Sequence, residues 1–164
     1  MSTSHRVALK VSRVQSTLTD LMFILDTNVV SELRKAKSGK ADANVVSWAA
    51  AQDPSALFLS AITLLELEMG IRLTERRDSA QGAILRAWMT NRVLPAFEGR
   101  VLPVDGPVAL CCAALHIPDP RSDRDALIAA TGIIHAMPII TRNVADFEPT
   151  GVKIINPWEG VDNF

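Results

Sequence analysis

The chain has little that could hold it together covalently or carry it into a bilayer. Its two cysteines, Cys111 and Cys112, are neighbours inside an apolar run. Adjacent cysteines are poorly placed to cross-link distant segments, and no CxxC or Cys/His ligand spacing occurs. They are expected to be reduced, buried packing residues of a cytoplasmic protein. No stretch reaches the ~18 uninterrupted apolar residues of a membrane span. The most apolar window, ALIAATGIIHAMPII, contains His135 and is broken by Pro138. No secretory apolar region stands at the N-terminus. Net charge is also nearly absent, at -1 at pH 7, which argues against a broadly basic nucleic-acid coat protein but leaves room for a local basic patch. Low-complexity tracts and internal repeats are missing too.

What remains is a composition for folding. With 164 residues, 48% hydrophobic and 21% charged, the chain fits one domain with a sizeable core. The opening MSTSHRVALKVSRVQSTLTDL stands apart, with His5, Arg6, Lys10 and Arg13 and no acid before Asp20. Residues 1–21 are expected to be a dispensable basic tail or to precede the natural start at Met22. The domain is then expected over 22–158, with a short tail over 159–164.

Strand-like and helix-like runs alternate along that domain. MFIL, ALFLSA, RVLPV, MPIIT and VKIINP read as strands. TNVVSELRKA, ANVVSWAAAQ, TLLELEMGIRLTERR, GPVALCCAALH and DALIAATGIIHA read as helices. In the third of these, Leu64, Leu67, Ile71 and, less regularly, Leu73 share a face. SAQGAILRAWMTNRVLPAF is expected to form a long helix ending near Pro95, Pro107 to sit in the first turn of its helix, and NVADF to make a single turn. Nearly continuous apolar strands alternating with helices predict an α/β fold, with a parallel central sheet flanked by helices. In such sheets ligands sit at the carboxyl ends of the strands, where strand order reverses.

Acidic residues recur in that place. Asp26 follows MFIL, Glu66 is expected in the first turn after ALFLSA, Asp125 opens DALIAAT, and Asp146 follows MPIIT. Carboxylates converging on one edge repel, and some stay protonated unless a cation neutralises them. Hard oxygen ligands on a shaped rim suit Mg²⁺ or Mn²⁺. Helix capping accounts for each acid alone. Thr63-x-x-Glu66 and Ser122-x-x-Asp125 have capping-box spacing, Asp26 can cap the first helix, and Asn143 can cap the turn that holds Asp146. Capping does not account for four acids on one edge, since Ser, Thr or Asn would serve it equally.

FILDTNVVSEL, SAITLLELEMGI, DALIAAT and IITRNVADF together resemble, in order and spacing, the signature segments of PIN-domain toxins of the VapC/FitB type. The resemblance covers about Met22 to Trp158. It implies a PIN-like three-layer fold and a Mg²⁺- or Mn²⁺-dependent endoribonuclease, the toxin of a type II toxin–antitoxin pair. It further implies a homodimer with a small cognate antitoxin that also binds operator DNA. Matched residue by residue, Asp26, Glu66, Asp125 and Asp146 take the catalytic, metal-binding positions, with Asp26 and Asp125 as the leading ligands. Asn28, Thr141 and Asn143 match the polar positions that orient carboxylates or waters. An antitoxin arginine is expected to reach the acidic site and displace the metal.

Spare acids lie close by. Asp119 and Asp123 crowd Asp125, and Glu68 follows Glu66 by two residues, which on a helix points it to another face; these are expected to be solvated. Arg34, Lys35, Lys37 and Lys40 read as a helix end first and an RNA contact second, and Arg72, Arg76 and Arg77 as a solvated stripe. His116 and His135 read as structural or capping. Trp48 and Trp88 are expected in the core or a dimer interface, and Val29 and Leu33 on a buried helix face. Two other functions compete. An acid-lined phosphatase is disfavoured because Asn28 stands where a second acid belongs and no lysine follows a late strand. A catalytically weak subunit, acting mainly through antitoxin-linked operator binding, would be favoured by a damaged acidic site, and all four acids are present.

Overall fold

The computed structural model describes residues 21–160. Of the two expected tails, residues 1–20 and 161–164 lie outside the described residues. Five parallel strands form one sheet: β1 (Phe23–Leu25), β2 (Leu57–Ser60), β3 (Val101–Leu102), β4 (Ile139–Ile140) and β5 (Ile154–Ile155), in the order β3-β2-β1-β4-β5. The chain builds outward from β1 to one edge and then returns to β1's other side. The reversal of strand order therefore falls between β1 and β4. Ile24 is in register with Ile139 and Leu25 with Ile140, so Asp26 and Thr141 leave the sheet side by side.

Helices cover both faces. They are α1 (Thr27–Arg34), α2 (Ala43–Ala50), α3 (Ala61–Arg77), α4 (Ser79–Trp88), α5 (Leu94–Ala96), α6 (Gly106–Leu115), α7 (Asp123–His135) and α8 (Val144–Phe147). Successive strand side chains point to opposite faces, and the core divides accordingly. Phe23, Leu25 and Ile140 pack with Val29 and Val30 of α1, Val45 and Trp48 of α2, and Leu67 and Ile71 of α3. Ile24 and Ile139 pack on the other side with Ile128 and Ala129 of α7 and Phe147 of α8. The result is the three-layer arrangement the alternation predicts. Among the described residues no helix is long and apolar enough to cross a membrane.

Several local expectations are corrected. Leu67 and Ile71 are buried as their spacing requires, but Leu73 is 63% exposed because it has rotated off that face. The expected long helix is α4, one π-turn at Met89–Val93 and then α5, with Pro95 inside the final turn. Met89 and Val93, four residues apart, both reach the core. Cys112 is buried, whereas Cys111 is half-buried; both are free thiols. Trp48 joins the core, with Phe23 edge-on at 5.3 Å. Trp88 lies at a groove between α1 and α4 with the Arg34 guanidinium 6.0 Å above its ring.

Candidate active site at the β1–β4 crevice

β1 ends at Leu25, and the next residue, Asp26, is the N-cap of α1: its Oδ1 accepts from Thr27 N at 2.8 Å. The capping expectation therefore holds at Asp26. It does not account for the rest of the environment. Asp26 is only 4% exposed, and its Oδ2 accepts from the Thr141 hydroxyl at 2.7 Å and from Asn28 Nδ2 at 3.4 Å. A cap hydrogen bond contributes about 1 kcal/mol, whereas burying an ionised carboxylate costs several times that. Capping alone would favour Ser or Asn here. Burial is the main cause that pushes the Asp26 carboxyl above its ordinary value, and the charges of Glu66 and Asp125 push it the same way.

Thr141, at the end of β4, is fully buried and uses its whole hydroxyl. It donates to Asp26, and accepts from Asn28 Nδ2 at 3.3 Å and from Asn143 N at 3.0 Å. Asn28 also accepts from Arg142 N at 3.3 Å, tying α1 to the loop after β4. Asn143 contributes through its backbone. It stands at the N-cap of α8, but its side chain makes no cap hydrogen bond, contrary to the capping expectation.

The Thr63–Glu66 capping box is overturned. The N-cap of α3 is Ser60, whose Oγ accepts from Ile62 N at 3.0 Å. Thr63 is inside the helix, and its buried hydroxyl has no partner among the described residues. Glu66 consequently sits beyond the first turn, on the side of α3 that faces α1. There the Thr27 hydroxyl donates to Glu66 Oε1 at 2.9 Å. Thr27 thus touches two of the four acids, one through its backbone and one through its side chain.

Asp125 is in the first turn of α7, where its N–H donates to Ser122 Oγ at 3.4 Å. Burial, then Asp146, then Glu66 raise its carboxyl above the ordinary value, while Arg124 opposes them. Asp146 lies exposed in α8. Arg124 Nη1 stands 3.6 Å from Glu66 Oε2. The four acids therefore occupy one electrostatic neighbourhood around the carboxyl ends of β1 and β4. The spare acids do not join them. Glu68 points away into ion pairs with Arg72 and Arg86, each at 2.7 Å, so it is clamped and not solvated. Asp123 stands 3.3 Å from His116 Nε2. His116 itself is structural, accepting from Arg121 N through Nδ1 at 3.2 Å.

Among the described residues no three His, Cys, Asp or Glu side chains converge closely enough to form a ready-made ion cage. The donor chemistry still fits a hard cation, because Mg²⁺ retains several waters and takes only one or two carboxylates directly. Asp26 and Asp125 have carboxyls that a positive charge would favour in the ionised form. Two residues of this neighbourhood, Thr27 and Arg124, are absent from the sequence expectations. Their signal is adjacency, each standing next to a singled-out acid in LDTN and DRDA.

Comparison with known proteins identifies the family. Residues 23–150 match the PIN domain family. The VapC ribonuclease Y4jK of Sinorhizobium fredii is 40% identical over 143 residues, spanning 84% of this chain and 99% of the relative. Toxin FitB of Neisseria gonorrhoeae is 32% identical over 142 residues, with the same coverage of 84% and 99%. A solved structure of FitAB bound to an IR36 DNA fragment superposes with a TM-score of 0.76 at 32% identity, over 87% of this chain and 99% of that one. By family match, relatives and fold, the chain belongs to the PIN-domain family.

Proposed function

We propose that the chain is the toxin of a type II toxin–antitoxin pair and an endoribonuclease that hydrolyses RNA phosphodiesters with Mg²⁺ or Mn²⁺ at the β1–β4 crevice. One observation carries this reading: the buried Asp26 carboxyl sits among hydrogen-bond donors with further carboxylates beside it and no ion pair of its own among the described residues. Asp26 and Asp125, with Glu66 and Asp146, would hold the ion. Bound there, the ion would supply a nucleophilic water at neutral pH and offset charge on the phosphate oxygens.

The chain's own residues prepare that chemistry. Thr141 and Thr27 N hold the Asp26 carboxyl in one orientation, and the Thr27 hydroxyl holds Glu66. Asn28 keeps Thr141 from turning away. Such fixed carboxylates need no reorganisation when a phosphate arrives, which is the larger part of electrostatic catalysis. The VapC ribonuclease and FitB relatives support RNA cleavage and a toxin role, and the DNA-bound FitAB structure supports a small antitoxin partner and an operator complex. The protein acts as a homodimer in this reading.

Titration of Mn²⁺ by calorimetry tests it, with wild type beside Asp26→Asn and Asp125→Asn, followed by RNA cleavage. Asn retains the shape and most of the capping ability of Asp without the charge. Binding by the wild type, lost in both folded variants together with cleavage, is the expected result. Absence of binding, or binding that survives both changes, would reduce the acids to caps and leave the chain as a catalytically weak operator-regulating subunit.

A further inference from the structure

We infer that Arg124 is a phosphate-positioning residue. Its guanidinium stands 3.6 Å from Glu66, and would turn to a non-bridging oxygen of the RNA phosphodiester if a divalent cation held Glu66. The inference rests on the ribonuclease reading above and names a residue for substrate engagement at that site.

Arg124 is in the wrong place for its own helix. It occupies the first turn of α7, between Asp123 and Asp125, where the helix dipole favours anions and disfavours cations. The helix gains nothing from a guanidinium there, whereas the acidic rim does. Arg124 opposes the charge crowded on Asp125 and, among the described residues, is the cation that reaches Glu66.

The contact with Glu66 is loose. At 3.6 Å it is longer than a charge-assisted hydrogen bond, and the Arg124 side chain is 49% exposed against 23% for Glu66. Ion pairs of this kind contribute little and exchange readily. The other arginine–glutamate contacts on α3 are tighter: Arg72 grips Glu68, and Arg86 grips Glu68 and Glu75, at 2.7 Å each. Glu66 does not depend on Arg124 for its orientation, because Thr27 already holds Oε1. Arg124 takes only Oε2. A cation arriving at Glu66 would displace the guanidinium without unmaking the Thr27 hydrogen bond. The released fork is then beside the proposed reaction centre, and its geometry suits a phosphate.

The test pairs two titrations on wild type, Arg124→Gln and Arg124→Lys, with Arg76→Gln as an outlying control. Mn²⁺ binding is read by calorimetry without nucleic acid. Backbone binding is read by anisotropy of fluorescein-labelled (dT)₁₂, which offers the same phosphate oxygens and which a ribonuclease leaves uncut. For Arg124→Gln, Mn²⁺ affinity is expected to rise about three- to tenfold, since a competing charge is gone. Oligonucleotide affinity in Mn²⁺ is expected to fall about five- to twentyfold, and its salt dependence to weaken by about one phosphate contact. Arg124→Lys retains the charge and should fall between. A fall in Mn²⁺ affinity with unchanged (dT)₁₂ binding would make Arg124 a strut for Glu66 and overturn the inference. So would variants indistinguishable from a wild type that binds both ligands. A wild type that binds no Mn²⁺ would overturn the parent reading, and this one with it.

Discussion

At Asp26 one carboxylate caps a helix and also carries a charge that burial opposes, and the two demands have opposite pH signatures. Burial raises Asp26 and Asp125 above the ordinary carboxylate value of 3.8. Such groups contribute stability fully below the unfolded value and lose it as pH rises through the folded one. Glu32, Glu68 and Asp53 are lowered by hydrogen bonds, from Lys35, from Arg86 and from the Ser55 backbone respectively. Their contribution runs the other way and is lost as pH falls. A difference measurement separates the two sets, because divalent binding requires the ionised site. The melting temperature in Mn²⁺ minus that in EDTA should be near zero at about pH 4 and should reach about 5 °C or more at about pH 7.5 with excess ion. In Asp26→Asn it should stay flat. A shift equal at both pH values would place the ion elsewhere. The capping place of Asp26 was legible from sequence, since the strand ends at Leu25 and the helix begins at Thr27. Thr63 was not, because Ser60 competes for the same cap three residues earlier and only the length of β2 decides between them. The contacts of Thr27 and Arg124 to Glu66 depend on the packing of α1 and α7 beside α3, which no local pattern reports.

Among the elements, α7 has little tolerance, because it carries Asp125 and also lies against β4. A Cβ added at Gly132 would meet Ile139 Cδ1 at 2.8 Å, Met137 O at 2.9 Å and Val152 Cγ2 at 2.9 Å. Gly132→Ala is expected to cost about 1–3 kcal/mol through overpacking, read as a lower urea midpoint. It should also weaken Mn²⁺ binding, because α7 must lift from the sheet and carry Asp125 outward. Unchanged metal affinity in a destabilised variant would uncouple Asp125 from the seat of the helix. A similar close approach joins α3 and α4, where a Cβ at Gly82 would stand 2.5 Å from Glu75 Cα. The strands and most helices were readable from periodicity and Pro107. The break in the α4–α5 run was less so: a π-turn changes the period for one turn only, too short for a pattern to register.

For the whole molecule, the parallel order follows from strand–helix alternation, and the reversal at β1 becomes visible only once the strands pair. The surface keeps a further feature. Leu65, Met69 and Leu73 repeat every four residues along the outer side of α3, and all are exposed. In the proposed homodimer this stripe, on the helix that bears Glu66, is the surface to cover. Met69→Glu should convert a dimer to a monomer in sedimentation equilibrium while leaving the circular dichroism unchanged. A Met69→Glu protein that stays dimeric would move the interface to another apolar surface, such as that of Leu110 and Ile117, 76% and 75% exposed.

β1 is the central strand, yet its two neighbours, β2 and β4, are made far apart in the chain. Asp26 leaves the ribosome first, and Thr141, its hydroxyl donor, comes 115 residues later. A chain interrupted before β4 holds Asp26 and Glu66 without the strand that orients Asp26, and without Asp146. A product that stops before β4 is therefore expected to lack the proposed Mn²⁺ binding and RNA cleavage, whichever of the other acids it retains.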